Sequence, residues 1–247
     1  MSTESGIPDW RGASQARTEN PLVEKPDPER AALSYQAFLA DPGKWWRERL
    51  ANPSKSIQER EKAEPNPGHY ALAELEQLHV LMCVITSNVD GLHEKASTYS
   101  LLEYHGSFRK LRCISCGSRF QYDSDDIATM LHESKLPPRC PNCQGVMKPD
   151  GVSFGEPIPA DVQRKSHGLV TACDLMLVCG TTASVYPFGE LPNTAKHWGA
   201  KIIEINEEPT RLTEEKISNY LIQGKTGEIL PAIVTQVKNL MTKETKR

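Results

Sequence analysis

Three short apolar runs in this chain each lead directly into a polar segment. The runs cover residues 80–85, 175–179 and 201–205, and the polar segments cover residues 86–91, 180–182 and 206–207. The first two runs are continuous rather than alternating, which is typical of strands buried on both faces of a parallel sheet. The pattern therefore predicts strands of a parallel sheet.

Apolar residues at helical spacing separate these predicted strands. Leu72, Leu75 and Leu78 precede the first run, a helix is predicted over residues 191–198, and residues 229–237 carry an apolar helical stripe. Strands that alternate with helices predict an open, doubly wound α/β sheet. Ligands of such sheets bind beyond the carboxyl ends of the strands, so the polar segments predict a cofactor site there.

Two segments depart from this alternation. Residues 26–65 contain Trp45, Trp46, many charges and several prolines, and we interpret them as a helical insertion. Residues 107–150 contain four cysteines and little apolar periodicity.

Composition narrows the class of protein. The 247 residues have 38% hydrophobic and 25% charged side chains, as expected for a globular protein, and the formal net charge is -3. This charge gives no electrostatic reason to expect nucleic acid or an anionic membrane as a partner. No apolar run approaches the roughly 18 residues of a membrane span. Seven cysteines without a secretory pattern predict a reducing compartment, and we expect a cytoplasmic protein.

Four of the cysteines form two C-x2-C pairs separated by 23 residues, namely Cys113 with Cys116 and Cys140 with Cys143. Each pair places two thiolates on one side of a tight turn, and two such turns complete a tetrahedral Zn²⁺ site. Four thiolate ligands leave no open position, so the predicted metal is structural. The alternative is four unrelated cysteines. The remaining three cysteines lie in or beside apolar runs and are predicted core thiols.

A second group of candidates lies near the predicted sheet edge. His105 lies between a strand–loop unit and the first cysteine pair, at a junction where clefts are common, although a structural histidine is the alternative. Asn88 and Asp90 follow a predicted strand and can contact a ribose or an amide, or can form an Asx turn. Gly180 begins a Gly-Thr-Thr segment whose N–H groups could approach a phosphate. His93 is interpreted as structural.

Together these features resemble the sirtuin family of NAD-dependent protein deacylases. The resemblance rests on residues 2–12 (STESGIPDWRG) and 88–93 (NVDGLH). It continues in family order through His105-Gly106, the four cysteines, and residues 154–156, 180–182 and 205–206. It covers nearly the whole chain, from Ser2 to about Val237.

The resemblance implies an α/β fold with a Rossmann-like doubly wound parallel sheet and a smaller zinc-ribbon plus helical domain. Residues 1–25, 66–106 and 151–247 would form the discontinuous NAD-binding domain, which lacks its N-terminal part. Residues 26–65 and 107–150 would form the small domain. NAD and an acylated-lysine protein substrate would meet between the two, and Zn²⁺ would fasten the small domain without taking part in the chemistry.

The resemblance also implies residue roles. His105 would be the general base acting on the nicotinamide ribose, a task that suits a neutral imidazole, and Asn88 would orient that ribose. The products would be nicotinamide, free lysine and O-acyl-ADP-ribose. The implied NAD-binding residues are Ser2, Thr3, Ile7, Pro8, Asp9, Trp10, Arg11, Ser87, Asn88, Val89, Asp90, Gly180, Thr181, Thr182, Asn206, Glu207 and Thr226. The residues implied to pair with the substrate backbone as an added strand are Val152, Phe154, Gly155 and Glu156.

The sequence departs from the family pattern at several positions. Ser87 stands where Gln is usual, Thr182 replaces Ser, and Gly151 and Ser153 stand where valine and an aromatic residue are common. A Tyr-x-x-Arg pair typical of desuccinylating members is not evident over residues 45–49, so neutral acyl groups such as acetyl are favoured.

A further departure is the start of the chain. In the family, an apolar strand and a Gly-Ala-Gly turn precede the segment that here begins at Ser2. The expectation is that the native chain is longer and supplies both. Two other functions stay open at this point: transfer of ADP-ribose to protein, and a truncated, non-catalytic zinc-containing binding protein.

Overall fold

The computed structural model describes residues 1–7, 34–51, 62–122, 127, 129, 130, 132, 133, 135–153 and 155–244. Five predicted site residues lie outside the described residues: Pro8, Asp9, Trp10, Arg11 and Phe154.

Eight α-helices have both of their ends within these described segments. They are α1 (Tyr35–Ala40), α2 (Pro42–Ala51), α3 (Pro67–Gln77), α4 (Leu92–Lys95), α5 (Ala160–Ala172), α6 (Leu191–His197), α7 (Arg211–Glu214) and α8 (Thr226–Glu244). Short 3-10 helices cover Ser2–Ser5 and Phe188–Glu190. The predicted helices over residues 72–78, 191–198 and 229–237 correspond to α3, α6 and α8.

The strands of the described residues form three sheets. They are β1 (Val84–Thr86), β2 (Leu101–Glu103), β3 (Lys110–Cys113), β4 (Arg119–Gln121), β5 (Met147–Pro149), β6 (Leu175–Cys179), β7 (Lys201–Asn206) and β8 (Tyr220–Gln223). Strands β1 and β2 pair in parallel, as do β6, β7 and β8 in that order. Strand β3 is the centre of an antiparallel sheet with β4 and β5 on either side. The parallel strands therefore form two sheets.

Helices cover both faces of the β6–β7–β8 sheet. Ile202 of β7 packs in a cluster with Val170 of α5 and Ala195 of α6. Ile205, three residues further along and on the opposite face, packs with Leu72 of α3 and Leu230 of α8. Packing on both faces confirms the doubly wound α/β architecture that the sequence predicts.

The first predicted strand is shorter than its apolar run. The run begins at Val80, but β1 begins at Val84, and the side chains of Val80 and Met82 are 54% and 53% exposed. The reason is the end of α3, because the N–H groups of Val80 and Leu81 both donate to the carbonyl oxygen of Leu75. These residues therefore terminate a helix and are unavailable to the ladder.

The helical insertion and the cysteine segment share one core. Phe38 of α1 and Trp46 of α2 pack with Leu111 of β3 and Met147 of β5. The indole Nε1 of Trp46 donates to the carbonyl oxygen of Met147 at 2.9 Å. This shared core supports the predicted grouping of the two segments into one small domain.

Across the described residues, we find no helix with both the length and the apolar character that crossing a bilayer requires.

Candidate functional site

The polar segments after β6 and β7 meet at the carboxyl edge of their sheet. The N–H of Gly180 donates to the carbonyl oxygen of Ile205 at 2.9 Å, and the side-chain amide of Asn206 donates to the carbonyl oxygen of Thr181 at 3.1 Å. Gly180 has φ +59°, a conformation that favours glycine. Thr182 and Glu207 follow and are exposed. This edge, where ligands of open parallel sheets bind, thus carries hydroxyl, amide and carboxylate groups.

The segment of residues 1–7 connects this edge with two other parts of the site. The hydroxyl of Ser2 accepts a 2.7 Å hydrogen bond from the side-chain amide of Asn88. The carboxylate of Glu4 accepts hydrogen bonds from the hydroxyl of Thr226 and from the N–H of Gly227 at 2.9 Å, so it caps the N-terminus of α8. Thr3 is exposed, whereas Ile7 is buried. The structure therefore brings Ser2, Asn88 and Thr226 to one segment.

The imidazole of His105 is held beside the end of β1. Its Nδ1 lies 3.2 Å from the carbonyl oxygen of Ser87. A carbonyl oxygen only accepts, so Nδ1 carries the proton and Nε2 keeps its lone pair. The ring also packs against Tyr104 and Phe188, with centroids 5.4 Å and 5.9 Å away. Burial lowers the pKa of His105, and the hydrogen bond to Ser87 offsets part of that effect. This arrangement can accept a proton at neutral pH.

Three loops converge on His105. The N–H of Val152 donates to the carbonyl oxygen of His105 at 2.8 Å, and the N–H of Phe108 donates to that of Val89 at 2.9 Å. Gly106 has φ +72°, and a Cβ at this position would overlap the carbonyl oxygen of Asp150. The predicted base and the predicted substrate segment are therefore neighbours. The close contact between Gly106 and Asp150 that brings them together is possible only with glycine.

Asp90 forms the Asx turn, which is one of its two predicted alternatives. Its Oδ1 accepts a 2.9 Å hydrogen bond from the N–H of Leu92, which is the geometry of an Asx turn at the start of α4. Asp90 is buried, at 7% exposure. The Asx turn that the sequence left open is thus present, and it fixes the carboxylate near the end of the polar segment that follows β1.

At Glu156 of the predicted substrate segment, the side chain and the main chain differ in burial. Its side chain is only 2% exposed and pairs with Arg112 and Lys148. The residue as a whole is half-buried, so its exposed part is the main chain. Gly155 is exposed with φ +77°, and Val152 is half-buried. An added peptide strand can therefore meet this segment through backbone groups, but not through the Glu156 carboxylate.

The four predicted metal ligands form a compact group. All four Sγ atoms of Cys113, Cys116, Cys140 and Cys143 lie within 4.8 Å of one another. The Sγ atoms of Cys113 and Cys143 are 3.5 Å apart, and those of Cys116 and Cys140 are 3.7 Å apart. Zn–S bonds of about 2.3 Å in a tetrahedron require S–S separations of about 3.8 Å, so the donor set fits Zn²⁺.

The environment of Cys116, one of the two exposed thiols, also favours metal binding. A hydrogen bond with the Ser118 side chain lowers the pKa of the Cys116 thiol to about 6. A thiolate is the form that binds Zn²⁺. The prediction of a structural zinc site is confirmed, and the alternative of unrelated cysteines is wrong.

Sequence reasoning missed several residues that shape the site. Asn66 donates through Nδ2 to the carbonyl oxygen of Met1 at 2.9 Å and to the hydroxyl of Ser5 at 3.0 Å. It also caps α3 together with His69, whose Nδ1 accepts from the N–H of Asn66 at 3.2 Å. Asn followed three residues later by a side-chain acceptor is the spacing of a capping box, and that signal could have identified the pair.

Comparisons with known proteins agree with this geometry. The Sir2 family model matches residues 1–187. The chain is 40% identical over 244 residues to NAD-dependent protein deacylase 2 of Pyrobaculum aerophilum, which covers 96% of this chain and 88% of that protein. A solved complex of a Sir2 homologue with NAD has a TM-score of 0.71 at 37% identity, over 97% of this chain and 86% of the other.

A second solved structure contains a peptide. It is described as a complex of Sir2, a p53 peptide and NAD+, and it has a TM-score of 0.70 at 28% identity. It covers 96% of this chain and 89% of the other. The predicted resemblance is confirmed, and the chain belongs to the Sir2 family.

Proposed function

We propose that this protein is an NAD-dependent protein lysine deacylase, with acetyl-lysine as the expected substrate. The observation that carries the proposal is the imidazole of His105, whose Nδ1–H faces the carbonyl oxygen of Ser87 at 3.2 Å. This contact fixes the tautomer and leaves Nε2 as a base at the carboxyl end of β1. Burial lowers the pKa of His105, so the ring is neutral at pH 7.

The dinucleotide would bind along the carboxyl edges of the parallel strands. Gly180 and Thr181 would admit it closely at the end of β6, and Asn206 and Glu207 would face a ribose at the end of β7. Support comes from the hydrogen bond between Asn206 and Thr181, which holds the two loops together at 3.1 Å. Thr226 would lie at the same end, where Glu4 fixes it.

NAD supplies an ADP-ribosyl group that accepts the acyl oxygen and releases nicotinamide. For this chemistry His105 must take a proton from a ribose hydroxyl, and its free Nε2 is suited to that step. Asn88 would orient the ribose, because the hydroxyl of Ser2 holds its side-chain amide at 2.7 Å. Asp90 would contribute at the nicotinamide end, since the N–H of Leu92 fixes its carboxylate.

The acylated peptide would bind as an added strand along residues 152–156. The N–H of Val152 already pairs with the carbonyl oxygen of His105, so the segment starts at the base. Main-chain pairing of this kind recognises an extended peptide with little dependence on its sequence. Zn²⁺, bound by four thiolates without an open position, would stabilise the small domain only.

The test is a reaction of the purified protein with NAD and an acetyl-lysine peptide, with nicotinamide and deacetylated peptide measured together. We expect equal amounts of both products, and loss of both in His105→Ala. A matched control is His167→Ala, which removes an exposed imidazole from α5. Incorporation of labelled ADP-ribose into protein without deacetylation, or unchanged turnover in His105→Ala, would contradict the proposal.

A further inference from the structure

Two cations face each other in the small sheet beneath the proposed peptide segment. Arg112 of β3 and Lys148 of β5 are directly opposed in the antiparallel register. Both are buried, and Lys148 is completely so, at 0% exposure. Like charges opposite each other in a sheet repel, and a buried charge without a partner is strongly destabilising. The pair therefore needs compensation from nearby carboxylates.

Glu156 supplies part of that compensation from the proposed peptide segment. Its Oε2 lies 2.9 Å from the Nζ of Lys148, and its Oε1 pairs with the guanidinium of Arg112. Asp150 supplies more, with Oδ1 2.9 Å from the Nε of Arg112 and 3.2 Å from the Nε of Arg119. One carboxylate of the segment thus bridges both opposed cations.

The chain of ion pairs ends on a helix of the large domain. Arg119 of β4 contacts Asp161 of α5, with Nη1 and Oδ2 3.1 Å apart. We call the six residues the charge network; they are Arg112, Arg119, Lys148, Asp150, Glu156 and Asp161. Arg119 and Asp161 are partly exposed, whereas the two buried cations, Arg112 and Lys148, are balanced by the two buried carboxylates of Asp150 and Glu156.

The same groups also hold the main chain of the segment. The Nζ of Lys148 donates to the carbonyl oxygens of Pro149 at 2.7 Å and Gly151 at 2.8 Å. The Oε2 of Glu156 accepts from the N–H of Ser153 at 2.8 Å. The inward-pointing side chains of Lys148 and Glu156 therefore fix the main chain at Pro149, Gly151 and Ser153.

We propose that Glu156 is a positioning residue, which fixes the peptide-binding segment in its binding conformation before the substrate arrives. Because Glu156 is the carboxylate that pairs with Lys148 and it shares Arg112 with Asp150, the segment is tied to the zinc-binding sheet through charge. A segment that is already ordered loses little conformational freedom on binding, so its order contributes to peptide affinity. The inference rests on the proposed function, in that the bound molecule is the acylated peptide.

The inference predicts a specific pattern of kinetic change. Glu156→Gln keeps the shape of the side chain but removes the charge that compensates both cations. We expect the KM for an acetyl-lysine peptide to rise by about tenfold or more, with the KM for NAD unchanged, because only peptide binding depends on the segment. In hydrogen exchange, the amides of residues 151–153 should lose protection. The matched control is Glu74→Gln, which removes the same charge from a surface pair with Lys238.

A second variant serves as the control for folding. If Glu156→Gln does not fold, the double variant Lys148→Met with Glu156→Gln removes both charges, leaving Arg112 with Asp150, and should fold. It lacks the hydrogen bonds that hold the segment, so its peptide KM should still be raised. A folded variant with wild-type peptide KM, equal losses for peptide and NAD, or failure of both variants to fold would overturn the proposal.

Different experimental results would contradict the positioning role of Glu156 and the proposed function. If the wild-type protein does not deacetylate any peptide, the proposed function fails, and hydrogen exchange of residues 151–153 still decides whether Glu156 orders the segment. If the wild-type protein is active and Glu156→Gln is equally active at low peptide concentration, only the positioning role of Glu156 is wrong.

Discussion

The main-chain N–H of Val152 donates a 2.8 Å hydrogen bond to the carbonyl oxygen of His105. The proposed base and the proposed peptide segment are therefore joined by backbone rather than by flexible side chains. A shift of one loop moves the other, so reaction rate and peptide binding should respond together to changes at this junction.

The first prediction concerns the close approach that makes this junction possible. Gly106→Ala should displace the His105 loop, because the added Cβ would overlap the carbonyl oxygen of Asp150 and φ is +72°. We expect a loss of about 2 kcal/mol or more in the free energy of unfolding, together with reduced kcat and raised peptide KM. Urea unfolding and steady-state kinetics would measure these effects.

The control for Gly106 is Gly199→Ala. Gly199 also has positive φ, at +98°, but no atom lies within 4 Å of an added Cβ. This variant includes the backbone strain without the overlap, and it lies before β7, away from His105. Equal losses of activity in the two variants would mean that the contact with Asp150 has no role in positioning His105.

The second prediction concerns the pH dependence of the reaction. A base works in its neutral form, and burial lowers the pKa of His105 below the ordinary value of 6.5. The acid limb of kcat/KM should therefore lie below pH 6.5, with more than half of the maximal activity retained at that pH. Phe188→Ala removes a ring 5.9 Å from the imidazole and admits water, so the limb should move up toward 6.5.

The control for Phe188 is Phe188→Leu, which keeps an apolar side chain over the imidazole. Its acid limb should stay with that of the wild-type protein. A wild-type acid limb at or above pH 6.5, or identical pH profiles in Phe188→Ala and Phe188→Leu, would show that His105 is not the group whose titration controls the rate.

Local patterns in the sequence were sufficient for the elements that bury apolar residues. Strands β6 and β7 begin at Leu175 and Lys201, as their apolar runs predict, because the sheet buries Val178 of β6 and Ile202 and Ile205 of β7. The zinc site could also be predicted from the sequence, because each C-x2-C pair is one turn long and its spacing alone places both thiols together. Both signals are confined to a few neighbouring residues.

Pairings between distant parts of the chain could not be predicted from the sequence. Lys148 and Glu156 belong to residue types that are almost never fully buried, so nothing in the pattern assigns them to a core. Their burial depends on the register that places Arg112 opposite Lys148, which only the folded sheet defines. The contact of Glu4 with Thr226 spans most of the chain and has no local signature.

The third prediction concerns the metal. The protein should contain one Zn²⁺ per chain, and a strong chelator should destabilise it by several kcal/mol, because Cys113 and Cys140 belong to the core that buries Trp46. Metal analysis and tryptophan fluorescence during chelation would show the change. Cys143→Ser should bind less zinc, whereas Cys173→Ser, outside the cluster, should keep its full content. Equal zinc loss in both variants would reject the assigned ligand set.

The last prediction concerns two histidines that take no part in the proposed chemistry. The rings of His69 and His93 are 4.8 Å apart and buried, and the Nε2 of His69 and the Nδ1 of His93 have no hydrogen-bond partner within the described part of the chain. Burial, with repulsion from His93, lowers the pKa of His69 to about 3. Burial also lowers the pKa of His93, to about 4, despite the opposing effect of Asp90.

These shifts predict acid sensitivity with a definite sign. Below pH 6.5 the unfolded chain protonates both histidines while the folded protein does not, so stability is lost as the pH falls from 6.5 toward 4. Each histidine should contribute a slope of up to about 1.4 kcal/mol per pH unit. His69→Gln keeps an acceptor for the capping box of α3 but cannot take up the proton, so its slope between pH 6 and 5 should be smaller by one histidine's share. Urea unfolding at several pH values would measure this slope. The control is His167→Gln, which replaces an exposed histidine. Equal slopes in the two variants would exclude His69 as an acid-sensitive group.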